Sequence, residues 1–193
     1  MNKHLLQSIP VLLIFLALSL GGCSQRAAHT VSWHGELHQL LPLYGDRNWI
    51  AIVDSAYPDQ SRAGMKTIVT HQSMYKVLKY VLAAVAKAPN IRPEAYTDRE
   101  LQFVTNSQTP GISAYRKHID RMLTAANIPH HQRIHIKSIH LLNKDGKLYK
   151  VLILKTNLTM PYTSVFLHLK CGYWTNADEQ QLRKVMAQAK AGN

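Results

Sequence analysis

Residues 44–58 read YGDRNWIAIVDSAYP, and no other stretch constrains the fold as strongly. Trp49, Ile50, Ala51, Ile52 and Val53 form an unbroken apolar run of β-branched and aromatic types. Such a run suits a strand covered on both faces. A Gly45 turn leads into it, and it ends on the carboxylate of Asp54, two small residues and Tyr57-Pro58. In an open α/β sheet the ligand crevice lies just beyond the carboxyl ends of the strands. Asp54 stands at that end and is a candidate site residue, while Gly45, Asp46 and Arg47 stand at the other. The competing reading gives Asp54 only the duty of capping the turn that follows.

Along the rest of the chain strand patterns alternate with helix patterns, which is the α/β class. Ser32 is placed to cap a helix over residues 33–41, followed by the strand at 48–54. A short strand is expected at 65–70. The clearest helix spans 71–87, where Met74, Val77, Leu78, Val81, Leu82 and Val85 recur at three- and four-residue steps. Residues 92–96 read as a strand, with Pro93 pointing to an edge or a late start. Thr97 and Glu100 make a capping box for a short helix that turns Leu101, Phe103 and Val104 inward. A second amphipathic helix covers 113–126. The alternation at 133–139 predicts a strand, and NKDG at 143–146 predicts a hairpin joining residues 140–142 to a strand at 148–154. Residues 162–169 form the last strand, and Asn176 with Glu179 opens a closing helix that runs to about residue 190. Tyr173 and Trp174 read as core or interface.

The first 22 residues have the pattern of an export signal: Lys3, an apolar run over 11–20, then Leu20-Gly21-Gly22-Cys23. The last four residues resemble a bacterial lipobox. That implies cleavage before Cys23, a lipid on its sulfur, a tether over 23–31 and one domain over 32–193. Ser24 after the cysteine resembles an outer-membrane address, so the expected place is the bacterial cell envelope, lipid-anchored on the periplasmic side. With Cys23 lipidated, Cys171 is the only thiol left, and the fold must hold by packing.

A net charge of +12 is spread along the chain with no nucleic-acid-binding run. Such a surface suits anionic head groups, cell-wall polymers or plain solvation, and no nucleic-acid partner is expected. Eleven histidines include His130, His131 and His135, but no HExxH or cysteine spacing accompanies them, and no metal site is expected. Neither a Gly-rich phosphate loop nor a GxSxG elbow occurs. What remains are polar residues at element ends: Asp46, Arg47, Asp54, His140, Lys155, Tyr162 and Ser164.

The stretch GDRNWIAIVDSAYP resembles the strand-plus-Asp segment of the RbsD/FucU family of sugar pyranases and mutarotases, with Gly45, Asp54, Ala56 and Pro58 in register. Pro161-Tyr162-Thr163-Ser164 followed by an apolar strand is similar to the family's Pro-Tyr-x-Asn segment. His140 stands 22 residues before Tyr162, as a family histidine does. The chain departs from the family where Asp46 replaces a histidine and Ser164 an asparagine. The resemblance implies a single domain with a central, mostly parallel or mixed sheet flanked by helices. It also implies ring-like homo-oligomers whose site is completed by a neighbour's Tyr segment, and cofactor-free isomerisation of a monosaccharide at its anomeric centre. On that reading His140 is the acid/base, Asp54 orients it or binds a hydroxyl, and Tyr162 donates a hydrogen bond or stacks on the sugar. Asp46 replaces the missing base only if burial raises its pKa. Arg47, Ser164 and Lys155 are expected to bind substrate. A sugar-binding lipoprotein without catalysis is the alternative, and a structural envelope lipoprotein a third.

Overall fold

In the computed structural model, β1 (Trp49–Val53) is buried at all five positions inside a six-stranded sheet. The model describes residues 32–128, 130–134 and 138–191, with side chains outside 129–140 and 191–193. The leader and tether expected over residues 1–31 lie outside the described residues. Residues Val31–Asn193 form one unit.

The other strands are β2 (Met65–Val69), β3 (Ile91–Asp98), β4 (His130–Ile134), β5 (Val151–Lys155) and β6 (Val165–Cys171). Their order across the sheet is β2-β5-β1-β6-β3-β4. β1 runs parallel to β5 and antiparallel to β6, while β3 runs parallel to β4 and antiparallel to β6. With β2 also parallel to β5, five strands share one direction and β6 alone opposes them. The sheet is therefore mixed, and the carboxyl ends of five strands share an edge with the start of β6.

The alternation of Cβ directions along each strand sorts the core into two layers. Ile50, Ile52, Leu152, Leu154, Leu167 and Leu169 face the larger layer. There α1 (Trp33–Leu40), α2 (Met74–Val85) and α3 (Ile112–Ala125) bury Leu37, the α2 stripe, Tyr115, Ile119 and Leu123. Trp49, Ala51, Val53, Val151, Ile153 and Phe166 face the other side, where Leu142 of α4 (Ser138–Asp145) covers them. The Ser32 cap is present, its Oγ accepting from the Gly35 N–H at 3.3 Å.

Several expectations are corrected. NKDG is not a hairpin. The segment 138–145 is helical, and Gly146 N–H closes its last turn on the Leu142 carbonyl at 2.8 Å. Residues 140–142 therefore belong to a helix, and the strand before it is His130–Ile134 rather than 133–139. The closing helix α5 (Asn176–Ala191) is capped by Thr175, whose Oγ1 accepts from Asp178 N–H while Asp178 Oδ2 accepts from Thr175 N–H. Phe103, 69% exposed, does not turn inward, and Tyr173 at 80% exposure is not core.

The second face carries a polar and aromatic cluster. The Trp49 ring stacks on His168 at 4.2 Å between centroids, and its Nε1–H donates to Asp145 at 2.8 Å, tying α4 to the first residue of β1. Glu94 accepts from the Tyr96 hydroxyl at 3.1 Å and lies 4.0 Å from His168 Nδ1. Burial, then the charge of Lys170, lowers the His168 pKa from 6.5, against the opposing pull of Glu94, Asp145 and Asp46. The folded protein thus holds His168 neutral where the unfolded chain would begin to protonate it. Stability is therefore lost as pH falls below about 6.5. Denaturation midpoints between about pH 7.5 and 5.5 should fall less steeply in His168→Phe than in the parent. Equal slopes would remove His168 from this role.

Candidate functional site

The loops leaving β1 and β3 go opposite ways, β1 toward β2 at one edge and β3 toward β4 at the other, with β6 between them. A divergence of this kind opens a crevice at the carboxyl edge. Here it holds a cavity of about 450 Å³, within the usual range for small-molecule sites. Its polar lining includes Asp54 at the end of β1, Asp98 at the end of β3, and Tyr57, Tyr162 and Ser164.

Asp54 caps its own turn and also lines the cavity. Its Oδ1 accepts from the Ala56 N–H at 2.9 Å, and its carbonyl accepts from Tyr57 N–H at 3.4 Å, which folds the turn. Its second carboxylate oxygen has no hydrogen-bond partner among the described residues. The opposite wall is the segment 156–164. The Thr156 N–H and hydroxyl both donate to the Val53 carbonyl, at 2.9 and 2.8 Å, and Ser55 N–H donates to the Leu158 carbonyl at 2.8 Å. The return strand is held from the large layer, where the buried Tyr115 hydroxyl donates to the Thr163 carbonyl at 2.5 Å. Thr163 Oγ1 donates to the Met160 carbonyl at 2.7 Å. Between these anchors Tyr162 is held at φ 56° and is 42% exposed. A left-handed backbone at a non-glycine residue costs free energy and persists only where its surroundings enforce it.

Tyr57 closes the floor. It is 6% exposed, packs toward Phe166 at 6.5 Å between ring centroids, and buries a hydroxyl that has no partner among the described residues. Burial, then the charges of Asp98 and Asp54, raises its pKa, so the phenol stays protonated and is available as a donor. A second depression of similar volume lies between the ends of α1 and α2, lined by Leu41, Pro42, Ala84 and Ala88. Its polar lining is His38, Lys87 and Asn90, with no carboxylate among the described residues.

Of the residues expected from sequence, Asp54, Tyr162 and Ser164 come together. Asp46 and Arg47 precede β1 at the opposite edge of the sheet, pairing with each other at 3.4 Å, and Arg47 also donates to the Tyr149 hydroxyl at 2.8 Å. The Asp46 side chain is 49% exposed, so the burial that would make it a base is missing. Lys155 ends the neighbouring β5 and does not line the cavity. His140 falls in the first turn of α4 rather than at a strand end, and its side chain lies outside the described residues. Asp98 and Tyr57 were not anticipated. Asp98 ends a strand as Asp54 does, but the expected strand stopped at residue 96, and Tyr57 stood in view only as the residue before Pro58.

No family model matches the chain, and no curated protein does. Solved structures similar to it include Bacillus subtilis RbsD complexed with D-ribose, at 16% identity and TM-score 0.46, covering 70% of this chain and 91% of that one. The fucose mutarotase from Streptococcus pneumoniae in complex with L-fucose is similar at 17% identity and TM-score 0.45, covering 78% and 99%. FucU from Bifidobacterium longum follows at 15% identity and TM-score 0.42, covering 70% and 93%. Likeness at this distance carries no residue roles, so the site stands on its own geometry.

The orphaned hydroxyl yields a prediction. Removing a buried polar group that lacks a partner relieves a desolvation cost. Tyr57→Phe should leave ligand-free stability unchanged or raise it by up to about 1 kcal/mol in chemical denaturation. A loss of stability would mean that the hydroxyl has a structural partner.

Proposed function

We propose that this domain binds a monosaccharide in the carboxyl-edge cavity and interconverts its ring forms without a cofactor. One observation carries the reading: Asp54 keeps an open carboxylate oxygen at the end of the central strand, in a cavity of about 450 Å³ it shares with Asp98, Tyr162 and Ser164. Ring opening removes a proton from the anomeric hydroxyl and returns one to the ring oxygen. Closure reverses both transfers, so the balance needs only groups that accept and donate protons. Asp54 accepts from the sugar hydroxyl. His140, in the first turn of α4, is proposed as the acid/base, and the Tyr162 ring as the platform for the sugar's apolar face. A homo-oligomer is proposed on the family resemblance alone.

Sugar binding without catalysis is the second reading. It is favoured by Asp46, which lies half-exposed at the far edge of the sheet and leaves the cavity without the second base that the motif comparison implied.

Magnetisation-exchange NMR across a monosaccharide panel separates the two. On the catalytic reading, exchange rises above buffer, and His140→Ala and Asp54→Asn each slow it by roughly 10²–10⁴-fold while some binding persists. Binding with exchange equal to buffer would leave the binding reading alone.

The envelope location is proposed on the LGGC motif alone. Expression in a bacterial host with labelled fatty acid should label the parent, and Cys23→Ser should abolish the label. Unmodified full-length protein in the cytosol would sink this assignment.

A further inference from the structure

α5 (Asn176–Ala191) is 16 residues long, and every residue from Gln180 to Lys190 is exposed. Its start is tied to the domain by Arg92, which donates to Asn176 Oδ1 at 2.9 Å. A helix of this length without apolar cover is marginal in water, because packing of one face supplies most of a helix's stability. The sequence provides such a face. At about 3.6 residues per turn, Leu182, Val185, Met186 and Ala189 share one side. Arg183 and Lys190 border that side, and Lys184 lies behind it. Both acids of the helix stand in its first turn, before the stripe. Asp178 accepts from Thr175, and Glu179 accepts from Trp174 Nε1–H at 2.9 Å and from Arg183 at 2.6 Å. After Glu179 the charged side chains of the sequence are those three cations alone.

We propose that α5 docks this domain on an anionic phospholipid surface, with Leu182, Val185 and Met186 at the boundary of head groups and acyl chains and Trp174 beside them. The proposal is separate from the sugar reading and from the acyl anchor proposed at Cys23. An amphipathic helix with basic flanks suits that interface. Its apolar stripe enters the boundary, its long cationic side chains reach the phosphates, and an indole sits at the level between. A second copy of the chain is the competing cover. Leu182 to Ala189 spans about 10 Å of helix. Two stripes of that length fall well short of the roughly 1,200–2,000 Å² that a stable interface buries. A lipid surface needs no complementary shape, and it takes up the charge as well. α5 leaves the domain at the amino edge, where the end of β6 pairs with the start of β3. On the loops of that edge Leu43, Leu148 and Tyr173 are exposed, as are Arg47, Lys147 and Lys150. Docking there leaves the carboxyl-edge cavity open on the far side.

The test reads Trp174 itself. Of the three tryptophans, Trp33 and Trp49 are buried and Trp174 is exposed. A change in emission on adding vesicles therefore reports this helix and not an acyl chain or leader elsewhere. The full chain is mixed with phosphatidylcholine vesicles, with and without phosphatidylglycerol. Vesicles containing phosphatidylglycerol should move the emission to shorter wavelength and protect it from acrylamide, and salt at about 0.5 M should reverse both. Phosphatidylcholine alone should do neither, and Trp174→Phe should abolish the shift. Arg183→Gln with Lys190→Gln should weaken docking by roughly 10–30-fold. Val185→Gln with Met186→Gln should weaken it by at least about tenfold. These four side chains are exposed without lipid, so both double variants should melt at the parent's temperature. An equal shift on phosphatidylcholine, no shift on either vesicle, or a shift that persists in Trp174→Phe would overturn the proposal. Self-association in lipid-free buffer that Val185→Gln with Met186→Gln abolishes would put a second copy on the stripe instead, and would overturn it too.

Discussion

Everything at the candidate site depends on β6 running against the other five strands. β1 is buried at every position and pairs with β5 on one side and β6 on the other. Because β6 is reversed, its first residue lies opposite the end of β1, with Ile52 paired to Val165. The segment that delivers the chain to β6, carrying Tyr162 and Ser164, is thereby brought against the turn that carries Asp54. A parallel strand in that place would bring its carboxyl end there instead, and both residues would leave the crevice. Backbone pairing thus fixes which side chains meet, before any contact between the side chains themselves.

The features legible in the sequence were those written in local pattern. The apolar run of β1 and the spaced stripe of α2 carry their own periodicity, and both elements occur where that periodicity puts them. NKDG was misread because Asn, Asp and Gly serve helix ends as readily as hairpins. What decides between them is the burial of Leu142 against β1 and the bond from Trp49 to Asp145, and both are long-range. The helix cap shifted from Asn176 to Thr175 for a smaller reason. Both residue types cap well, and the reciprocal bonds between Thr175 and Asp178 select one.

Asp98 escapes the sequence reading because Thr97 and Glu100 read as a capping box, which ends the expected strand at residue 96, whereas Thr97 pairs with Val165 inside β3. Pro93 separately points to an edge strand. In the sheet β3 is interior, but β4 pairs with it only from Ala95 onward. Pro93 lies in the part of β3 that has one neighbour, β6, which is where a missing N–H is tolerated. The proline rule holds residue by residue and fails only when applied to the whole strand. Asp46 shows the reverse limit. A motif aligned it with a base, but sequence separation along a strand is distance in space, and five extended residues carry it to the far edge.

Asp54 reads in the sequence as either a turn residue or a site residue, and in the structure the residue that folds the turn is also one that lines the cavity. Held only by rotation about its own bonds, a carboxylate at a strand end would sweep through several orientations and bind any partner at a cost in entropy. The bond from Ala56 N–H to Oδ1 fixes the plane of the group. The clasp of Thr156 and Leu158 on Val53 and Ser55 fixes the turn itself. The remaining oxygen is therefore held in one direction, and preorganisation of this kind would lower the cost of the binding and proton transfer proposed for it. Tyr162 meets the same requirement by other means, through a backbone conformation enforced by the buried anchors on Thr163. On both walls the hydrogen bonds that build the turn are also the ones that hold the cavity-lining residue in place.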